Sequence, residues 1–238
     1  PRPPPPPPPP LPPKPEHLNY KEKFVMHGHV RGVSAVQFSP DCSMIASAGM
    51  YYTHVQLLHG LITDFAQQAP MQLQGLGTAS GRLIHIFEGH LAGISTLAWA
   101  PSGDWIATGS DDKTIRFWNV NTVRKPIYHF MFQRLLQVLI QLKAHTKVFD
   151  GHHNYVYQIA FAPKGNILVS GSYDEAVFMW DVRRAQVMRS LPAHSDPVAG
   201  IDVGLDGTLI ASCALDGLIR IWDTHSGQCL RTLVMEDN

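Results

Sequence analysis

The sequence predicts an all-β protein made of a repeated four-stranded unit, each repeat forming one blade of a β-propeller. Two observations carry this. A long stretch occurs twice at a fixed period, and four residues keep one spacing inside every complete copy. Residues 151–181 read GHHNYVYQIAFAPKGNILVSGSYDEAVFMWD and residues 193–223 read AHSDPVAGIDVGLDGTLIASCALDGLIRIWD. Each copy opens 29 positions before its tryptophan, and the second starts 42 residues after the first. From His152 it is 18 residues to Ser170, 4 more to Asp174 and 6 more to Trp180. His194, Ser212, Asp216 and Trp222 keep those steps, and so do His90, Thr108, Asp112 and Trp118.

A Gly-His opening with a Trp-Asp close resembles the WD-repeat pattern. The resemblance implies that each set of four forms a hydrogen-bonded chain from Trp through Ser or Thr and His to Asp. That chain ties the third strand of a blade to the loop that enters it. Each bond is worth roughly 1 kcal/mol net, and a stranded buried partner costs about 1–3 kcal/mol. These residues are therefore expected to be structural tetrads rather than a metal or catalytic site.

Composition bounds the partners. The 238 residues hold 19 basic and 19 acidic side chains, so no field for nucleic acid or an anionic membrane is expected. Cys42, Cys213 and Cys229 form no CxxC pair, which argues against a disulfide framework or a zinc module and fits a reducing compartment. No secretory signal pattern and no run of apolar residues long enough to span a bilayer is present, so a soluble intracellular protein is expected. No metal and no cofactor is expected. The run GLGTASG at 75–81 has GxGxxxG spacing without a preceding strand and following helix, so it is not a dinucleotide loop.

Taken in order, residues 1–23 are a proline-rich arm expected to be disordered, and 24–238 a partial propeller. PRPPPPPPPPLPPKP at 1–15 favours polyproline II and cannot join a core. It is either a ligand for a polyproline-reading domain of SH3, WW or profilin type or a plain tail. Phe24–Met26 is expected to be a short strand. The repeats are expected at 28–88, 89–150, 151–192 and 193–234. In the first, strands near Val33–Phe38 and Met44–Ala48 flank a Ser-Pro-Asp turn. The pattern then fails: Tyr51 stands where Asp is due, no Trp follows, and the third strand is expected to be missing. The second repeat is complete, with Asn119 replacing the closing Asp. After it, 128–142 is apolar with helix-compatible spacing at Leu135, Leu139 and Leu142, either a surface helix or a loosely packed segment.

Repeat starts at Gly28, Gly89, Gly151 and Ala193 give steps of 61, 62 and 42. Irregular insertions are therefore expected near 50–80 and 121–150. Functional loops spare the strands they join, so these read as extra sequence of translated-intron type. Four repeats would leave open blade faces at both ends, which points to a longer ring or a partner.

Equivalent repeat positions share a place in the ring. Ser34, Ser95, Tyr157 and Ala199 fall on the first strand near the channel mouth, and Asp111, Tyr173 and Leu215 precede the tetrad Asp on the same end. Small residues beside one aromatic and one carboxylate suit a guanidinium. The alternative is that Tyr157 merely fills the channel and Asp111 is a solvated turn residue.

The runs GHLAGIS, GHHNYVY, SGSYDEAV, LPAHSDPVAG, DGLIRIWDT and SGQCLRTLV resemble the WD-repeat core subunit of trithorax/COMPASS-type histone H3 lysine methyltransferase complexes, in a fungal-like version. The resemblance covers roughly 20–49 and 81–238, apart from the interruptions. It implies a seven-bladed propeller, of which about four blades are here, located in the nucleus and not an enzyme. It also implies a scaffold whose channel mouth takes an arginine-bearing motif of the histone H3 tail or of the methyltransferase, with other members of the complex on the opposite side. Carried over by position, the arginine site comprises Gly32, Ser34, Gly93, Ser95, Asp111, Tyr155, Tyr157, Pro197 and Ala199. Ala199 departs from a familiar serine, and Met50 from a familiar small residue. Other readings are a WD-repeat adaptor of a corepressor, splicing or ubiquitin-ligase complex, a non-functional fragment, or an enzyme on a propeller scaffold. No nucleophile–base pair outside the tetrads supports the last.

Overall fold

The computed structural model describes residues 29, 32–49, 54–59, 83–121 and 145–234. They form four antiparallel sheets of four strands each, every sheet a simple meander. The first blade is β1 (Val33–Phe38), β2 (Met44–Gly49), β3 (His54–His59) and β4 (Leu83–Glu88). The second is β5 (Ile94–Trp99), β6 (Trp105–Ser110), β7 (Ile115–Asn119) and β8 (His145–Phe149). The third is β9 (Val156–Phe161), β10 (Ile167–Ser172), β11 (Val177–Asp181) and β12 (Gln186–Leu191). The fourth is β13 (Val198–Val203), β14 (Leu209–Ala214), β15 (Leu218–Asp223) and β16 (Cys229–Val234).

Each turn from a blade's first to its second strand is set by one residue in the left-handed region. Gly103, Gly165 and Gly207 adopt φ of 74°, 69° and 75°, where glycine pays no steric penalty. In the first blade Cys42 takes that position at φ 57°. Its N–H donates to Ser39 O at 2.8 Å, as Gly103 N donates to Ala100 O and Gly165 N to Ala162 O.

The apolar core lies between successive blades. Met44, Ala46 and Ala48 of the first pack with Ile94, Leu97 and Trp99 of the second. Phe117 and Phe149 meet Val156, Ile159 and Trp180 across the next gap. Val177 and Met179 meet Val198 and Ile201 across the last. Burying each large side chain here contributes roughly 1.5–3 kcal/mol. Close approach requires glycine at two places. A Cβ on Gly109 would sit 2.7 Å from Val156 Cγ1, and one on Gly171 would sit 2.5 Å from Val198 Cγ1. At the ends of the array Val36 and Phe38 on β1, and Leu209 and Ile219 in the fourth blade, are exposed.

Two expectations are corrected. The first blade has its third strand: β3 pairs with β2 from Met44↔His59 to Ala48↔Val55, and with β4 on its other edge. The pairing with β4 slips between Leu57 and Leu58. The same slip falls just before the tryptophan in the other three blades, so what hides β3 in the sequence is Leu58 in the tryptophan's place. The interruption at 121–150 is likewise not irregular throughout, because β8 inside it completes the second blade. The arm at 1–23, Phe24–Met26, Met50, Tyr51, the GLGTASG run and the apolar segment 128–142 lie outside the described residues.

Candidate functional site

The tetrads fix the frame on which any site stands. In the third blade Trp180 Nε1 donates to Ser170 Oγ at 2.7 Å. An indole nitrogen is a donor only, so the hydroxyl must send its own proton elsewhere. It sends it to His152 Nε2 at 2.7 Å, which leaves the ring proton on Nδ1. Nδ1 then donates to Asp174 Oδ2 at 2.8 Å. The second blade repeats this through Trp118, Thr108, His90 and Asp112 at 2.8, 2.7 and 2.8 Å. The fourth does so through Trp222, Ser212, His194 and Asp216 at 2.9, 2.8 and 2.9 Å.

In the first blade His29 Nε2 meets Ser47 Oγ at 2.9 Å. By register Leu58 stands opposite Ile45, where the other blades place Trp118, Trp180 and Trp222 opposite Ile106, Leu168 and Ile210. A leucine side chain carries no N–H, so the sequence offers no indole at this register position.

Burial works against ionisation of Asp174, yet hydrogen bonds from His152, His153 N and Ala176 N bring its carboxyl down to about 2. Burial also opposes charge on Asp112, and bonds from His90, Thr114 and Leu91 N hold that carboxyl well below the ordinary range. Desolvation lowers His90 despite its carboxylate neighbour, so the imidazole stays neutral. These groups are committed to one another. Among the described residues no group of three or more His, Cys, Asp or Glu side chains is placed to hold a metal ion. Nor is any helix there long and apolar enough to cross a membrane.

The end of the array that carries the tetrad aspartates also carries the candidate arginine site. The first strands of neighbouring blades, β1, β5, β9 and β13, pack side by side and form its inner wall. Three tyrosines cluster there. Tyr173 lies 6.1 Å from Tyr155 and 6.0 Å from Tyr157, centroid to centroid. All three are exposed, at 44%, 44% and 38% for Tyr155, Tyr173 and Tyr157. On the adjoining blade Ser95 Oγ donates to Asp111 Oδ1 at 2.9 Å, which aims the carboxylate.

The main chain is stitched at the same level. Asp111 N donates to Gly93 O at 2.9 Å, Tyr173 N to Tyr155 O at 2.8 Å and Leu215 N to Pro197 O at 3.1 Å. Gly93 O also accepts from Ser110 Oγ at 2.7 Å and is filled, whereas the Tyr155 and Pro197 carbonyls keep a second lone pair for a ligand.

Of the other candidates, Ser34 is committed elsewhere. Its hydroxyl bonds Ile94 O across the blade gap and Ala48 O in its own blade. It ties the first blade to the second rather than presenting a free donor. Gly32 and Ala199 are exposed and have no polar side chain to offer. Tyr173 is the residue missing from the carried-over set. Its place directly before the tetrad Asp, equivalent to Asp111, is the signal that marks it.

Four-stranded meanders joined through these tetrads define a repeat protein of the blade-forming class. The chain belongs to the WD40 family (WD domain, G-beta repeat), whose profile matches residues 20–52, 81–119, 143–181 and 185–223. It is similar to COMPASS component SWD3 of Saccharomyces cerevisiae, with 32% identity over 169 residues, 71% of this chain and 43% of that protein. It is similar to a chromatin assembly factor 1 subunit of Mus musculus, with 30% identity over 114 residues, 47% of this chain and 20% of that protein. Ribosome biogenesis protein WDR12 homolog of Drosophila persimilis is 24% identical over 204 residues, 75% of this chain and 48% of that protein. The chain thus spans less than half the length of each of these relatives.

Proposed function

We propose that this chain is a non-catalytic nuclear scaffold that presents an arginine-binding site to the histone H3 tail or to a methyltransferase motif, within a histone methyltransferase complex. The observation that carries this is the exposed Tyr155–Tyr157–Tyr173 cluster of the third blade, with Asp111 held by Ser95 at the equivalent position of the neighbouring blade. A guanidinium stacks on an aromatic face, donates in a fixed fork to a carboxylate, and is weakly enough hydrated to enter such a mouth. Asp111 supplies the carboxylate, and the Tyr155 carbonyl supplies a further acceptor. Similarity to a COMPASS component supports the complex. The proline tract at 1–15 would add a docking segment for a polyproline-reading domain.

A second reading, an adaptor of another complex, draws support from the similarity to a chromatin assembly factor and a ribosome biogenesis protein. Anisotropy of a labelled H3 tail peptide separates the two. Binding that falls at least tenfold when the peptide's arginines become alanine supports the arginine site. Equal binding of both peptides, with a different complex co-purifying from nuclear extract, favours the adaptor.

A further inference from the structure

At the opposite end of the blades a second cleft lies between the second and third. Antiparallel strands reverse direction at each turn, so the β5–β6 and β9–β10 turns and the loop after β11 all fall at this end. Between them opens a cavity of about 270 Å³. Trp105, Phe117 and Val182 form its apolar wall, and Lys147 and Lys164 its charged lining. Among the described residues no carboxylate lines it. Lys147 Nζ is fixed in place, donating to Val182 O at 2.7 Å and Arg183 O at 2.9 Å. Lys164 is exposed in its turn, and Arg183 is exposed beside Val182.

The next cleft along, between the third and fourth blades, shows why this one differs. That cavity, about 380 Å³, is lined by Lys164 and Arg189 but also by Asp206 and Asp223, so its charges balance. Arg189 there is held by Ser226 O and His225 O, as Lys147 is held by the loop of its neighbour. Both clefts share the same latch between blades. Of these two, the first combines an apolar wall with positive charge that no carboxylate among the described lining residues neutralises.

We propose that the cleft between the second and third blades docks an acidic linear peptide, with one aliphatic or aromatic side chain seated against Trp105, Phe117 and Val182. Carboxylates flanking that anchor pair with Lys147, Lys164 and Arg183. The volume suits one buried side chain with extended backbone across the rim. Nucleic acid would need a longer track of cations than this cleft offers.

The test is selection of random nonapeptides displayed on phage against the full chain, followed by anisotropy with the enriched sequences as synthetic peptides. Enriched sequences are expected to combine Asp or Glu with a single large apolar residue. Their affinity should fall about tenfold against Lys164→Glu, fall with added salt, and stay unchanged against Tyr157→Ala. The last arm keeps this site distinct from the tyrosine mouth. Lys164 lies in an exposed turn away from the tetrads, and Arg183→Glu is a second variant should the first fail to fold. Enrichment without acidic bias, no enrichment over background, or equal binding to wild type and both variants would overturn the proposal.

Discussion

Replacing Asp174 by alanine removes the end of a tetrad and strands three donors at once. Asp174 Oδ2 accepts from His152 Nδ1 at 2.8 Å and His153 N at 2.8 Å, and Oδ1 accepts from Ala176 N at 3.1 Å. The cost differs among them. The His152 side chain is fully buried and stacked on Phe178 at 4.2 Å, so its Nδ1 is left without its acceptor in the interior. That loss costs about 1–3 kcal/mol. Ala176 N is partly buried, and its lost bond adds roughly 1 kcal/mol. His153 N is exposed, and water takes over. The sum is roughly 2–4 kcal/mol, or about 5–15 °C in Tm for a domain of this size. Urea unfolding followed by tryptophan fluorescence reads it directly, because Trp180 belongs to the same chain of bonds. Asp174→Asn keeps one acceptor for His152 and should lose about half as much. Asp206→Ala is the control, since that carboxylate bonds Thr208 in an exposed turn. It should stay within about 0.5 kcal/mol of wild type. A change for Asp174→Ala no larger than that of Asp206→Ala would refute the reasoning.

Other outcomes follow from the same contacts. Gly171→Ala puts a methyl 2.5 Å from Val198 Cγ1 and should cost roughly 1–3 kcal/mol by wedging the third and fourth blades apart; an unchanged urea midpoint would contradict this. Cys42→Gly relieves a left-handed residue at φ 57° and should stabilise by roughly 0.5–1 kcal/mol, the unfolded chain's added freedom offsetting part of the gain; a lower Tm would count against it. Acid should act in two stages. His90 is lowered in the fold, so stability declines as pH falls below about 6.5, where the unfolded chain takes up a proton the folded one refuses. Asp174, at about 2 folded against 3.8 for an isolated carboxyl, adds a second loss as pH falls from roughly 4 to 2. A Tm that is flat from pH 7 to 3 would contradict both.

The blades were legible because their stability depends on residues whose spacing is fixed by geometry. Trp180 can reach Ser170 only with the two on paired strands at one register, and His152 can reach both Ser170 and Asp174 only where the entering loop crosses them. Those constraints leave the same count of residues in every intact blade. β3 was not legible for the complementary reason. Leu58 stands where the other blades have tryptophan, so a real strand lacked the residue that marks the close. Repeat position alone puts Tyr157 on a blade's first strand and Asp111 just after a second strand, where the structure has them. That Tyr173 lies against both Tyr155 and Tyr157 could not be read that way, because it depends on how a loop from one strand folds over another. Likewise Ser34 reads as a site hydroxyl in sequence, whereas its bond to Ile94 O spends it between blades. The lysine-lined cleft was invisible for the same reason: Lys147 and Lys164 meet only across a blade boundary.

The most direct test of the arginine mouth is a double-mutant cycle. One side is Tyr157→Ala in the chain, and the other is Arg→Lys in an H3 tail peptide, with all four affinities measured by titration. Stacking of a guanidinium on Tyr157 gives a coupling of about 1–2 kcal/mol, so that either change alone removes most of what both remove together. Effects that add to within about 0.5 kcal/mol would mean the arginine does not meet Tyr157, and the mouth would have another ligand.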